Sequence, residues 1–163
     1  MKNLLTTICL TIAVLLGSVG LSASADFQKG LTAAKSGDFA TALREWTPLG
    51  KQGDADAQYN LGVMYTNGKG VPRDNKTAVK WYRLAAEQGI ADAQGNLGVM
   101  YGMGQGVIQD HVYAHMWGNI AASNGSENGA KVREHAAKLM TPSQLETAQK
   151  LAGECVRKNY KGC

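Results

Sequence analysis

The sequence is poor in what covalent chemistry needs. It has three cysteines and three histidines among 163 residues. It contains no GxSxG or SxxK serine motif, and neither Cys155 nor Cys163 has a plausible base beside it, so nucleophilic catalysis has no candidate. Basic residues are not clustered. The net charge is +4, and the densest group is Arg157, Lys158 and Lys161 near the C-terminus. That group suits the negative end of a helix dipole, whereas dedicated nucleic-acid binding asks for a stronger patch. The uncharged apolar run Leu4–Gly20 falls short of the roughly 20 apolar residues that span a bilayer.

That run belongs to a three-part N-terminus. Met1-Lys2 supplies positive charge, the apolar core follows, and Ala23-Ser24-Ala25 offers small residues to a peptidase. This is the grammar of a secretory signal peptide, with the cut between Ala25 and Asp26. The expectation is an exported chain, periplasmic or secreted, with no stable membrane anchor after cleavage and one domain over residues 26–163. In an oxidising compartment Cys155 and Cys163 can bridge within the chain, stay as free thiols, or link two chains. The internal bridge is the expectation, as a fastening for a tail that would otherwise fray.

What the sequence does have is repetition. NLGVMYTNGKGV at 60–71 returns as NLGVMYGMGQGV at 96–107, an offset of 36 residues. The likeness runs from Ala55–Gly89 to Ala91–Gly125, and a fixed period of this size denotes stacked supersecondary units. Each unit reads as two helices. In the first, Ala57, Leu61, Met64 and Tyr65 make an apolar stripe at three-to-four spacing. Gly68 and Gly70, then Gly104 and Gly106 one period later, end that helix, because glycine accepts positive φ. Asp74 and Asp110 are N-caps for the second helices. Their apolar faces carry Ala78, Trp81, Tyr82 and Ala85, or Ala114, Trp117 and Ala121, and Gly89 and Gly125 stop them. Gly62 and Gly98 fall mid-helix, where glycine costs about 1 kcal/mol against alanine. Their recurrence implies close approach of the hairpin's second helix, near Ala78 or Ala85, with Trp81 and Trp117 filling the wider gaps between units.

Two such units rarely stand alone, and the flanks supply caps. Residues 26–53 read as two helices about a Gly37-Asp38 turn. Residues 127–140 form a helical stretch, and MTPSQL then opens a last helix with Thr141 as N-cap, Pro142 at its first position and Gln144 completing a capping box. The expected fold is all-α, an α-α superhelix of about eight helices in four hairpins spanning 26–53, 54–89, 90–125 and 126–163.

Leu61-Gly62, Tyr65, Gly68-x-Gly70-Val71, Asp74, Trp81-Tyr82 and Ala85-Ala86-x-x-Gly89 resemble the Sel-one-like repeat family, a branch of the tetratricopeptide superfamily. The second unit matches at Leu97-Gly98, Tyr101, Gly104-x-Gly106-Val107, Asp110, Trp117 and Ala121-Ala122-x-x-Gly125. It departs at Tyr113 and at Gly118. The segment MTPSQLETAQKLAGEC is similar to the tail of exported bacterial members. The resemblance implies a right-handed superhelix and a scaffold that binds other proteins or peptides. Penicillin binding and weak β-lactamase action have been ascribed to a subgroup with a disulfide in each repeat; this chain has no cysteine there.

First helices line the concave side of such a stack. In tetratricopeptide proteins the position of Asn60 and Asn96 often bonds a bound peptide, and an amide can donate and accept at once. The alternative is that both amides bond across helices within the fold. Tyr59, Thr66 and Asn67 neighbour Asn60 on that face. Their counterparts Gly95, Gly102 and Met103 make the second unit's groove smoother and more apolar. His111 and His115 share a helix face at metal-capable spacing, but no third ligand is evident and Val112 stands where a zinc protease carries Glu. The glycine loops lack the strand and helix context of a nucleotide site. The reading is therefore a monomeric scaffold without cofactor, metal or catalytic residue, its partner an unidentified protein or peptide. The alternatives are a cell-wall-active or β-lactamase-like enzyme and a secreted effector or inhibitor.

Overall fold

The computed structural model describes residues 25–163, so the expected signal peptide lies almost wholly outside them. Among the described residues eight helices follow one another: α1 (Phe27–Lys35), α2 (Phe39–Gln52), α3 (Ala55–Asn67), α4 (Asn75–Ala86), α5 (Ala91–Met103), α6 (His111–Ser123), α7 (Glu127–Ala137) and α8 (Pro142–Arg157). No strand occurs among the described residues, and the all-α superhelix expected from the repeats is the fold. No helix among these residues is long and apolar enough to cross a membrane.

Local chemistry sets the helix ends. Asp26, Asp38, Asp54, Asp74 and Asp110 each cap a helix by accepting backbone N–H bonds. Thr141 and Gln144 form the reciprocal capping box. Gly68 and Gly104 end α3 and α5 at φ +68° and +65°, and Gly70 and Gly106 follow at +72° and +74°. The second glycine of each pair is needed for a further reason. A Cβ on Gly70 would lie 2.8 Å from Phe39 Cβ, and one on Gly106 would strike the carbonyl of Asn75. Each unit's loop thus rests on the start of the preceding unit's second helix.

The period reaches further back than the quoted repeats. Asp38, Ala42, Trp46 and Gly53 stand one period before Asp74, Ala78, Tyr82 and Gly89. Asp38 caps α2 as Asp74 caps α4, and Ala42 and Ala78 are both fully buried. The N-terminal hairpin is a third copy that lacks the glycine loop.

Inside each hairpin the mid-helix glycine meets an aromatic ring. A Cβ on Gly62 would lie 2.5 Å from Tyr82 Cδ1, so the neighbour expected at Ala78 or Ala85 is the Tyr82 ring. Gly30 faces the Trp46 indole in the same way. The second unit breaks the pattern, since Gly118 occupies the place of Trp46 and Tyr82. Here α7 comes in. Val132 Cγ1 packs 3.1 Å from the Cβ position of Gly98, and the Arg133 backbone nitrogen lies 2.7 Å from that of Gly118. As a result α7 packs on both α6 and α5, while α8 packs on α6. The last two helices close the stack, and α7 docks mainly on α6 while α8 packs on the same helix.

Cys155 and Cys163 are disulfide-bonded, with Cα atoms 5.7 Å apart. Closing so short a loop contributes about 2–3 kcal/mol by chain entropy. The tail it holds places Tyr160 against Gly89, 3.5 Å from that residue's Cβ position, and Asn124 Nδ2 donates to the Tyr160 hydroxyl at 3.2 Å. The bridge therefore ties the end of α8 to the ends of α4 and α6.

Candidate functional site: a groove between α5 and α7

The first-helix residues named from sequence do not form one site. Asn60 borders a cleft between α1 and α3 of about 220 Å³, and its amide nitrogen donates to the carbonyl of Asp56 on its own helix at 2.9 Å. Asn67 spends its amide on the Val63 carbonyl at 2.9 Å. Thr66 donates to the Gly62 carbonyl and pairs with the Tyr82 hydroxyl at 3.1 Å. Tyr59 packs on Tyr82 with ring centroids 6.2 Å apart. Burial raises the pKa of the Tyr59 phenol, the Asp92 charge adds to this, and a hydrogen bond from Asn96 offsets part of it. Burial likewise raises that of Tyr82. Asn96 is thus set beside two tyrosines of the preceding unit and accepts from Asn128 at 3.5 Å. The two asparagines match in sequence and differ in surroundings.

Met103 is different. It is 65% exposed and borders a groove of about 300 Å³ between α5 and α7. Val99 and Gly102 line it from α5, Ala114 from α6, and Val132 and Ala136 from α7. Two replacements create it. Gly102 stands where the first unit has Thr66, and a Cβ there would meet only Ala114 Cβ at 3.5 Å. Gly118 stands where the first unit has Tyr82 and admits α7 as the second wall. The more apolar surface expected around Gly102 and Met103 is therefore present, whereas Gly95 is covered by Ser126 and the start of α7.

The polar rim of the groove comes from Asn128, Lys131, His111 and His135. His111 Nδ1 is buried with no hydrogen-bond partner. His115, one turn on, lies in a separate cavity with Asn119 and Arg133 and is 4% exposed. Its pKa is lowered by burial and, less, by the Arg133 charge. The two histidines line different cavities, and no group of three metal-capable side chains occurs among the described residues.

Sequence reasoning missed two sets of residues. The α7 side chains carry no repeat signature, and the signal for them was the missing ring at Gly118. Gln58 and Gln94 recur in ADAQ and are buried. Gln58 donates to the carbonyl of Gly50 at 2.9 Å and accepts from Gln88 at 2.8 Å. Gln94 donates to Ala86 at 3.1 Å and accepts from Asn124 at 2.8 Å. Each unit thereby holds the C-terminus of the preceding unit's second helix.

Stacked helical hairpins define a helical-repeat scaffold fold. More narrowly, residues 55–90 and 91–126 each match the Sel1 repeat model, so the chain carries two Sel1 repeats. Such folds typically mediate protein–protein interaction and are generally non-catalytic. The chain is similar to the crystal structure of c5321, a protective antigen present in uropathogenic Escherichia coli strains that displays an SLR fold. The TM-score is 0.75 and the identity 31%, over 80% of this chain and 30% of that one. It is also similar to a Sel1 repeat protein from Oxalobacter formigenes, with a TM-score of 0.64 and 30% identity over 68% of this chain and 45% of that one. The chain thus spans less than half the length of either. No curated protein matches it.

Proposed function

We propose that this protein is an exported Sel1-repeat scaffold that holds a protein or peptide segment in the groove between α5 and α7. The observation that carries the reading is Met103, exposed at the edge of an apolar trough that the other exposed apolar side chains, Leu84, Ile108, Leu139 and Val156, do not line. Burying such surface is the driving force of association. Asn96, which accepts from the groove-lining Asn128, adjoins this face, whereas Asn60 borders a separate cleft. A photo-crosslinking residue replacing Met103 is expected to trap a partner in cells, and the same residue replacing Lys150 on exposed α8 is not. Adducts from position 150 with none from 103 would sink the assignment.

Export draws support from Glu45. Its side chain is covered, Lys29 Nζ sits 2.8 Å from Oε1, and the backbone nitrogen of Asp26 donates to Oε2 at 3.2 Å. Cleavage before Asp26 would turn that nitrogen into a cationic amine facing a carboxylate. Mature protein from the cell envelope is expected to begin at Asp26 by intact mass; a chain retaining residues 1–25 there would refute the cut. The hydrogen bonds from Lys29 and from Asp26 hold the Glu45 carboxyl below its ordinary value of 4.5. A lowered pKa in the fold means stability that is present above that value and lost as pH falls through the folded one. Lys29 is half exposed, so the contribution is small. Glu45→Gln is expected to flatten the stability profile below about pH 4.5, by removing a small stabilisation that the wild type has at neutral pH.

A further inference from the structure

We infer that the groove selects an extended, acidic peptide segment anchored by one large aliphatic side chain; this rests on the scaffold reading above. The anchor follows from the lining. Val99, Val132, Ala136 and Met103 present hydrocarbon and thioether, and Met103 adapts its shape to what it touches. About 300 Å³ is at the lower end for ligand pockets, which suits one side chain with its flanking backbone. The extended form follows from spacing. α5 and α7 already pack on each other, with Val132 Cγ1 3.1 Å from the Gly98 Cβ position. A helix about 10 Å across does not fit into such a seam, whereas a single strand does.

The charge follows from the rim. No carboxylate lines the groove, and its charged member, Lys131, forms no ion pair among the described residues. Asn128, His111 and His135 can each donate a hydrogen bond. A cation beside donors calls for an anionic, acceptor-rich ligand. A basic segment would set like charge against Lys131.

The test uses the full exported protein and acetylated, amidated decapeptides. One carries a single leucine flanked by glutamates in a serine background; two others replace the leucine by serine or the glutamates by lysines. Anisotropy should show the first binding at a Kd on the order of 100 µM, a value typical of short transient contacts, with NMR shifts confined to the methyls of Met103, Val99 and Val132. Removing the leucine or inverting the charge should each weaken binding about tenfold, the former through the buried side chain. Gly102→Thr, which installs the first unit's residue with room for its Cβ, should weaken it similarly at unchanged helicity. Lys131→Glu should reverse the preference between the acidic and basic peptides. If the basic peptide binds as well and shifts the same methyls, the charge class is wrong and the groove assignment survives. If binding leaves those methyls still, or ignores Gly102→Thr, the groove assignment itself is wrong. If no peptide binds while Met103 still crosslinks a partner, the short-segment inference alone is overturned.

Discussion

Gly118→Ala is expected to destabilise the fold by about 3 kcal/mol, the upper part of the usual overpacking range, although alanine is the better helix former by about 1 kcal/mol. The reason is what the new methyl would meet. It would lie 2.7 Å from the Arg133 nitrogen and 2.9 Å from the Gly129 carbonyl oxygen. These are backbone atoms of α7, which cannot rotate aside as a side chain can. Gly118→Tyr, which copies Tyr82, should do worse, dislodging α7 and erasing the groove. Gly62→Ala is the instructive comparison, because its clash is with the Tyr82 ring and rings can tilt. Gly153→Ala is the control, since its nearest neighbour is Arg157 Nη1 at 3.5 Å, and it should be neutral or stabilising. Urea midpoints rank the four variants, and limited proteolysis reports release of residues 127–139. A wild-type midpoint for Gly118→Ala would end the argument that α7 replaces a ring.

The contrast between Gly62 and Gly118 also marks what the sequence could and could not disclose. Helix ends were legible because they are local: an aspartate cap, a Thr-Pro-x-Gln box or a glycine pair acts on the backbone within one turn. The stack was legible because a period repeats the same local decisions. Gly62 announced a close contact by its cost, and the structure moved that contact from alanine to Tyr82. The position of α7 was not legible, because it is set by a side chain that is missing one helix earlier. The same holds for the candidate site. Met103 was visible as an apolar residue one period after Asn67, but its facing wall of Val132 and Ala136 belongs to a helix outside the repeat. Asn60 and Asn96 looked equivalent because sequence equivalence is local, while their partners come from Asp56 in one case and Tyr59, Tyr82 and Asn128 in the other.

Gln94→Glu is expected to cost about 4 kcal/mol at pH 7.5, the equivalent of a three-unit rise in the pKa of a buried carboxyl. The substitution keeps the size of the side chain and changes only its charge and one donor. Gln94 is fully buried and donates to the Ala86 carbonyl, which also accepts from Gly89. An ionised carboxylate there would face that oxygen without a proton between them. The protonated acid can still donate, so the cost depends on pH. A pKa raised in the fold gives stability that is complete below the unfolded value of roughly 4.3 and is lost as pH rises through the folded value. The gap between variant and wild type should therefore shrink to about 1 kcal/mol or less at pH 4.5. Measuring the difference at each pH removes the acid losses that both chains share through Glu45 and His115. Gln149→Glu on the exposed side of α8 supplies the control and should show no such dependence. Because Gln94 joins the two repeats through Ala86 and Asn124, its failure falls on a nearest-neighbour interface in the middle of the stack. The urea transition of Gln94→Glu at pH 7.5 should broaden as the halves lose cooperativity and sharpen again at pH 4.5. A constant gap across that range would mean that the buried amide, for all its hydrogen bonds, does not hold the two repeats together.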